Sequence, residues 1–175
     1  MKKIRICGYY PGVIGRITEL HAVYYSENWG FDVTFETQVG LELSEFMKDF
    51  QPERDGLWVA TVDGDFAGSI AIDGREAQTD GARLRWFIVP PRFQKAGIGK
   101  ALMSKAIEFC KHVGYAKAYL WTFQGLDAAR NLYERCGFEL TEEHRIIQWG
   151  QNINEQMFAL NCRCSDASGQ HLQDV

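Results

Sequence analysis

A short glycine-rich turn offers the clearest chemistry in this sequence. Residues Gln94–Gly99 read Gln-Lys-Ala-Gly-Ile-Gly, and apolar residues at helical spacing follow them as far as position 113, which predicts that the turn opens a helix. The first turn of a helix has unpaired backbone N–H groups at the positive end of the helix dipole. Gly97 and Gly99 carry no Cβ, so a phosphate can come close to the main chain. The pattern therefore predicts an anion site made of backbone amides.

This turn differs from the two commonest phosphate-binding loops. A P-loop begins with glycine and ends in Gly-Lys-Ser/Thr, whereas Gln94 opens this turn and Ala101 follows Lys100, which leaves no hydroxyl for magnesium. A dinucleotide-binding fingerprint would place a third glycine at position 102, where this chain has leucine. A helix entry without any ligand would also explain these six residues, so their surroundings must decide.

A second helical segment supplies that context. Residues 126–135 precede Cys-Gly-Phe, and glycine at position 137 suits the left-handed residue that ends many helices. Ala129 and Tyr133 lie one turn apart in this segment and share a helix face. The Gln-x-x-Gly-x-Gly turn and the Ala-x-x-x-Tyr helix that ends in Gly-Phe together resemble the two hallmarks of the GNAT superfamily of N-acetyltransferases. Their order, with a helix and a strand between them, fits that superfamily.

The resemblance extends over residues 4–160. Over these residues the chain is similar to the acetyltransferase half of bacterial proteins that fuse a MarR-type DNA-binding domain to a GNAT domain. This chain departs from their pattern at Asn28, where those proteins usually carry Glu, and at Phe123, where they usually carry Asn. We expect no DNA-binding half in these 175 residues, and the resemblance therefore implies no transcriptional role.

The resemblance implies acetyl-coenzyme A (acetyl-CoA) as co-substrate. The backbone of Phe87 and Val89 would pair with the pantetheine arm as an added strand does. Main-chain groups of the glycine-rich turn would hold the pyrophosphate, and residues of the second helix would reach the coenzyme. The implied coenzyme-binding residues are Phe87, Val89, Gln94, Lys95, Ala96, Gly97, Gly99, Lys100, Ala129 and Arg130.

The resemblance also assigns a role to Tyr133, which occupies the family's position for the general acid. A phenol with a pKa near 10 can donate a proton to a nascent thiolate whose own pKa is near 8.5. The implied reaction is direct acetyl transfer to a primary amine of an acceptor, more readily a small molecule than a protein. The competing hypothesis is an acyl-CoA-binding sensor or interaction module without catalytic activity.

The general base is less defined by the sequence. Glu27 and Glu36 are the tentative candidates, because acceptor sites of this fold usually form at the first helical pair. The same region carries many other carboxylates, and a solvated helix surface explains them equally well. Deprotonation through a chain of water molecules is the alternative, and His21 and His144 could relay protons.

Composition limits the remaining classes. The net charge of −4 and the absence of a basic stripe argue against nucleic acid, and no apolar run is long enough to cross a membrane. Cys162 and Cys164 are close in sequence, but no second Cys or His pair lies at ligand spacing, so we predict no metal site. We expect a cytoplasmic protein, a possible homodimer, with one domain over residues 1–164 and a flexible tail over residues 165–175.

These patterns predict an α/β (α+β) fold of the GNAT type. We expect a mixed central β-sheet of about 6–7 strands, about 4 flanking helices, and splayed central parallel strands. Asp-Gly-Asp at residues 63–65 predicts a hairpin, and a helix between strands 84–89 and 117–123 predicts that those strands run parallel. The predicted strands are 3–9, 57–62, 66–72, 84–89, 117–123, 138–150 and 154–162, and the predicted helices are 13–29, 35–50, 97–113 and 126–135.

Overall fold

A computed structural model describes residues 3–163 of the chain; the predicted tail at 165–175 and Cys164 lie outside these residues. Within them, seven strands form one mixed sheet and four α-helices flank it, so the predicted fold is confirmed. The order of the strands across the sheet is β1-β2-β3-β4-β5-β7-β6. The elements are β1 (Ile4–Cys7), α1 (Val13–Trp29), α2 (Val33–Lys48), β2 (Gly56–Val62), β3 (Asp65–Asp73), β4 (Ala82–Ile88), α3 (Ile98–Val113), β5 (Lys117–Phe123), α4 (Asp127–Arg135), β6 (Glu139–Gln148) and β7 (Gln151–Asn161).

The helices cover the two faces of the sheet and create two cores. One core lies under α3 and α4 and contains Leu102, Leu120 and Tyr133. The other lies under α1 and α2 and contains Leu43 and Trp86. None of the helices between residues 3 and 163 combines the length and apolar character that a membrane crossing needs.

The start of α2 differs from the prediction and has a local cause. The helix begins at Val33, two residues before the predicted boundary, because Asp32 caps it. Asp32 is extended, and its carboxylate accepts a hydrogen bond from the backbone N–H of Thr34 at 2.9 Å. Such a cap satisfies a backbone donor that the helix itself leaves unpaired.

The two central strands, β4 and β5, run parallel but separate early. Among the described residues they pair at Ala82 with Ala118 and at Arg83 with Tyr119, and at no later position. Strand β5 instead pairs with β7 along its whole length. The later half of β4 therefore faces a gap on this side, which confirms the predicted splayed strands.

A bulge in β4 occurs where the strands separate. Ser69 pairs with Ile88 and Ala71 pairs with Arg85, so two steps along β3 match three along β4. Trp86 lies in this extra step with a φ of +47°, a left-handed conformation that a bulky residue rarely adopts. The buried Ser69 hydroxyl donates a hydrogen bond to the Trp86 carbonyl at 2.7 Å and thereby holds the bulge.

The bulge turns two consecutive side chains of β4 towards α2. Arg85 forms an ion pair with Glu42 of α2, and the ring of Trp86 lies 5.2 Å from the ring of Phe46, also in α2. In a regular strand these two neighbours would point to opposite faces of the sheet. The guanidinium carbon of Arg85 lies 4.2 Å from the centroid of the Trp86 ring, so the two side chains also stack on each other.

We predict that Ser69→Ala lowers the free energy of unfolding by about 1–3 kcal/mol, because the substitution removes the buried donor to the Trp86 carbonyl. Urea unfolding measures this loss. Ser44→Ala is the matched control, since the Ser44 hydroxyl bonds the Gly40 carbonyl on an exposed helix surface and should contribute little. Equal losses in the two variants would contradict a special role for the bulge.

Candidate active site

A groove of about 550 Å³ follows the separated end of β4 to the starts of α3 and α4. We call it the long groove. Eight of the ten residues that the family resemblance assigns to coenzyme binding line it. They are Phe87, Val89, Gln94, Lys95, Gly97, Gly99, Lys100 and Ala129.

The start of α3 provides unpaired donors in this groove. The helix begins at Ile98, directly after Gly97, whose φ is +79°. No side chain caps this end, and the first turn contains no acidic residue. The first bond of the ladder runs from the N–H of Ala101 to the carbonyl of Gly97 at 3.0 Å. The N–H groups of Ile98, Gly99 and Lys100 therefore have no acceptor within the helix, which suits an anion.

Space and local contacts also fit a diphosphate at this helix start. A Cβ added to Gly97 would meet nothing within 4 Å, so the turn is open there, whereas one added to Gly99 would touch Cζ of Phe87 at 3.4 Å and narrow the groove beside the helix start. The Gln94 amide donates to the Val89 carbonyl at 3.2 Å and ties the turn to the end of β4. That carbonyl retains a second lone pair. The residues present therefore fit the coenzyme that the sequence predicts.

Two predicted coenzyme residues lie outside the lining of the long groove. Ala96 is exposed in the turn but does not line the groove. Arg130 donates a hydrogen bond to Glu134 at 2.8 Å, and its guanidinium carbon lies 5.6 Å from the Phe158 ring centroid. The structure thus pairs Arg130 along its own helix, and its contact with the coenzyme stays a prediction.

A second cavity, of about 200 Å³, lies between the sheet and the first two helices. We call it the inner cavity. Its walls come from α1, α2, α4, the strands β4, β5, β6 and β7, and the turn between β6 and β7. The polar side chains that line it are His21, Gln38, Glu42, Arg83, Arg85, Thr122, Gln148 and Glu155.

The long groove and the inner cavity meet at a small set of side chains. Among the described residues, Tyr25, Phe87, Leu126 and Tyr133 line both spaces. Tyr133 is 6% exposed, and its ring centroid lies 6.0 Å from that of Phe87. This junction is where a group bound in one space would reach a group bound in the other.

Both phenols at the junction stay protonated at neutral pH. Burial raises the pKa of Tyr133 well above that of a free phenol, and the nearby Tyr25 adds to this rise. Burial likewise raises the pKa of Tyr25, with a further contribution from Tyr24. Two neutral hydroxyl donors therefore face the place where the spaces join.

Sequence reasoning missed Tyr25. A usable signal was present, since Tyr25 lies one helical turn after the buried His21 in α1 and therefore shares its inward face. The aromatic rings around it are close: the Tyr25 ring centroid lies 5.1 Å from that of Phe35 and 5.8 Å from that of Phe123. A sequence pattern cannot show that this aromatic cluster reaches the same junction as Tyr133.

The structure does not bring the two predicted bases to the junction. Glu27 and Glu36 line a separate groove between α1 and α2, on a different face of α1 from His21. The carboxylates that line the inner cavity are Glu42 and Glu155. Sequence reasoning did not single out Glu42 from the many carboxylates of its region, and it missed Glu155, which lies far away in the chain.

Both cavity carboxylates are paired with basic groups. Glu42 forms an ion pair with Arg85. A carboxylate oxygen of Glu155 lies 2.9 Å from Nε2 of His144 on β6. A carboxylate that acts as general base at this site therefore has to accept the proton while it remains beside its basic partner, or to accept it through water.

His21 lines the inner cavity as a neutral imidazole. Burial lowers the pKa of His21 to about 4, although its hydrogen bond with the Ile17 carbonyl raises it slightly. Nδ1 lies 2.7 Å from that carbonyl. A carbonyl only accepts hydrogen bonds, so Nδ1 carries the proton and Nε2 keeps its lone pair.

Between residues 3 and 163, no group of three His, Cys, Asp or Glu side chains is arranged to hold a metal ion. Cys162 is buried and lies in the core under α3 with Cys110.

The fold and these two joined spaces are those expected of the GNAT family of acetyltransferases. The family model described as "Acetyltransferase (GNAT) family" matches residues 15–138. The chain therefore belongs to this family.

Individual relatives extend this result. The chain is 30% identical over 124 residues to an uncharacterized N-acetyltransferase of Methanocaldococcus jannaschii, which covers 69% of this chain and 55% of that protein. It is 36% identical over 88 residues to human N-acetylaspartate synthetase, covering 50% of this chain and 29% of that protein. The chain thus spans about half or less of the length of these relatives.

A solved structure supports the fold although its sequence is only distantly similar to that of this chain. A Salmonella typhimurium protein solved with its cofactor acetyl-CoA superposes with a TM-score of 0.74. The match covers 94% of this chain and 96% of that one at 15% identity. At this identity the likeness concerns the fold alone.

We predict that acid destabilises the native protein through His21. The pKa of this imidazole is about 6.5 in an unfolded chain and about 4 in the folded one, so its contribution is fully present above pH 6.5 and is lost as the pH falls towards 4. Between pH 7.5 and pH 5 this amounts to about 2 kcal/mol of unfolding free energy. Urea unfolding at both pH values, compared with His21→Gln, measures it. A variant with the same pH dependence as the native protein would contradict this assignment.

Proposed function

We propose that this protein transfers the acetyl group of acetyl-CoA directly to a primary amine of a small acceptor. One observation carries the proposal: Tyr133 lines both the long groove and the inner cavity. Coenzyme bound in the long groove and acceptor bound in the inner cavity would meet at that hydroxyl. Direct transfer in a ternary complex needs such a meeting point. The name of the relative N-acetylaspartate synthetase denotes acetylation of a small amine, which supports this class of acceptor.

The donor side of the proposal uses the backbone. The uncapped amides at the start of α3 would hold the pyrophosphate, with Gln94, Lys95, Ala96, Gly97, Gly99 and Lys100 around it. Phe87 and Val89 would pair with the pantetheine arm along the open edge of β4, while Ala129 and Arg130 would approach it from α4. Recognition through main-chain groups depends on the path of the backbone more than on individual side chains.

The acid in this proposal is Tyr133. Its raised pKa keeps the phenol neutral in the resting site, so the hydroxyl can donate a hydrogen bond and then its proton to the departing thiolate. The pKa of that thiol rises in the same buried surroundings. The acceptor amine must lose a proton in the same reaction. Glu155 lines the inner cavity and could take this proton through water, whereas Glu27 and Glu36 would serve only an acceptor that reaches the outer side of α1.

We also propose a cytoplasmic location, a possible homodimer, and a special closeness to the acetyltransferase half of MarR–GNAT fusion proteins. None of them is needed for acetyl transfer at the junction.

We expect Gly99→Val to raise the dissociation constant for acetyl-CoA about tenfold or more, because the added side chain occupies the approach to the α3 amides. Isothermal calorimetry measures the change. Gly15→Val is the matched control: Gly15 also lies in the first turn of a helix, α1, with open space around it. Affinity that is unchanged in Gly99→Val would exclude this helix start as the phosphate site.

Removing the Tyr133 hydroxyl tests the acid. Tyr133→Phe should lower turnover about 10²-fold or more with acetyl-CoA affinity preserved, as measured by thiol release. Tyr9→Phe, at an exposed tyrosine, serves as control and should leave turnover unchanged. Full turnover in Tyr133→Phe together with a large loss in Tyr25→Phe would move the role to Tyr25. Coenzyme binding without thiol release on any amine would favour the sensor hypothesis over an enzyme.

A further inference from the structure

The inner cavity carries a cation that the proposed chemistry does not use. We infer that the acceptor is an amine that also bears a carboxylate, as an amino acid does, and that Arg83 binds this carboxylate. The inference rests on the proposed function, because it assigns the inner cavity to the acceptor. It goes further in specifying the class of acceptor and the residue that selects it.

The first step concerns the charged side chains near Arg83, which lies near the beginning of β4. Asp73 at the end of β3 is 6% exposed and pairs in register with Arg83. Its carboxylate also lies 2.5 Å from a guanidinium nitrogen of Arg75 and 3.3 Å from one of Arg85. Arg85 in turn pairs with Glu42. Asp73 and Glu42 are thus both engaged by guanidinium groups other than that of Arg83.

The second step compares Arg83 with these two arginines. Arg75 and Arg85 each have a carboxylate within 4.0 Å, whereas among residues 3–163 none comes that close to Arg83. Arg83 is half-buried and lines the inner cavity. Asp73 attracts Arg83 only from beyond ion-pair distance. A carboxylate entering the cavity would bind this partly desolvated guanidinium directly, with two parallel hydrogen bonds.

The third step is the polarity of the cavity as a whole. Arg83 lies near the beginning of β4, and Phe87 at the junction follows four residues later, on the order of 13 Å along a strand. The negative group near the other wall is Glu155, on a strand that pairs with the end of β5 at Phe123. An acceptor with an amine at one end and a carboxylate at the other matches this arrangement. A polyamine would place positive charge against Arg83.

The probes that test this inference are matched pairs of amines that differ in one carboxylate. L-Alanine, β-alanine, L-aspartate and L-glutamate are compared with their carboxamides, and spermidine represents acceptors without a carboxylate. Thiol release from acetyl-CoA gives kcat/KM, and calorimetry on the protein saturated with CoA gives the affinity for each amine independently of turnover. We expect at least one acid to exceed its amide about tenfold or more in kcat/KM or in affinity.

Variants then assign this preference to a residue. Arg83→Gln should remove the advantage of the acid, lowering its kcat/KM about tenfold or more while changing that of the amide less than about threefold. Acetyl-CoA affinity should stay unchanged, which also shows that the variant is folded. Arg5→Gln, at an exposed arginine on the edge strand β1, is the matched control and should keep the full preference.

The outcomes separate this inference from the proposed function. Acetylation of spermidine or of the amides with no preference for an acid would overturn the inference alone, as would a preference that survives in Arg83→Gln. Failure to bind acetyl-CoA would overturn the proposed function itself. A protein that binds acetyl-CoA but neither acetylates nor binds any of the acids would also overturn the inference.

Discussion

The separation of β4 from β5 is the constraint on which the rest of the structure depends. Two parallel strands that begin as neighbours at Ala82 and Ala118 stop pairing after Arg83. The bulge at Trp86 lies just past that point and is held by a buried hydroxyl. A continuous ladder here would close the gap and remove both the open edge of β4 and the junction between the long groove and the inner cavity.

The two spaces on either side of the junction use different physical means. In the long groove the binding groups are backbone amides at a helix start, and these need no ionised side chain to attract a phosphate. In the inner cavity the polar groups are charged side chains that are largely paired with one another, such as Arg85 with Glu42. Buried charges require such pairing, so the half-buried Arg83, which has no carboxylate within 4.0 Å among residues 3–163, stands out as a specific feature. The neutral phenols of Tyr25 and Tyr133 separate the two regions.

Much of the fold was accessible to sequence reasoning, and the failures have local causes. The turn after β2 was predictable because an Asp-Gly pair favours the positive φ values that such a hairpin requires. Residues 63 and 64 both take positive φ values in the structure. The start of α2 was placed two residues late because the capping role of Asp32 was not considered. The bulge at Trp86 escaped prediction, since nothing in a run of strand-forming residues marks one of them as left-handed.

The residues of the candidate site likewise fall into those that the sequence could predict and those that it could not. Coenzyme-binding residues were predictable because they are consecutive in the chain and their pattern is tied to one local structure, a helix start. Residues of the inner cavity come from seven helices and strands and from the turn of the last hairpin, and only packing brings them together. For this reason Glu27 and Glu36 were plausible candidates from sequence, while Glu155 and Arg83 were not considered.

The sequence by itself determined the elements, their order, the glycine-rich helix start and the tyrosine of α4, because each depends on residues near one another in the chain. The tertiary structure alone decided where β4 and β5 separate and which side chains face the inner cavity. It also decided that Arg83 has no carboxylate at ion-pair distance among residues 3–163. These depend on strand register and on contacts between distant segments, such as Asp73 with Arg85. The local periodicity of a sequence does not specify those contacts.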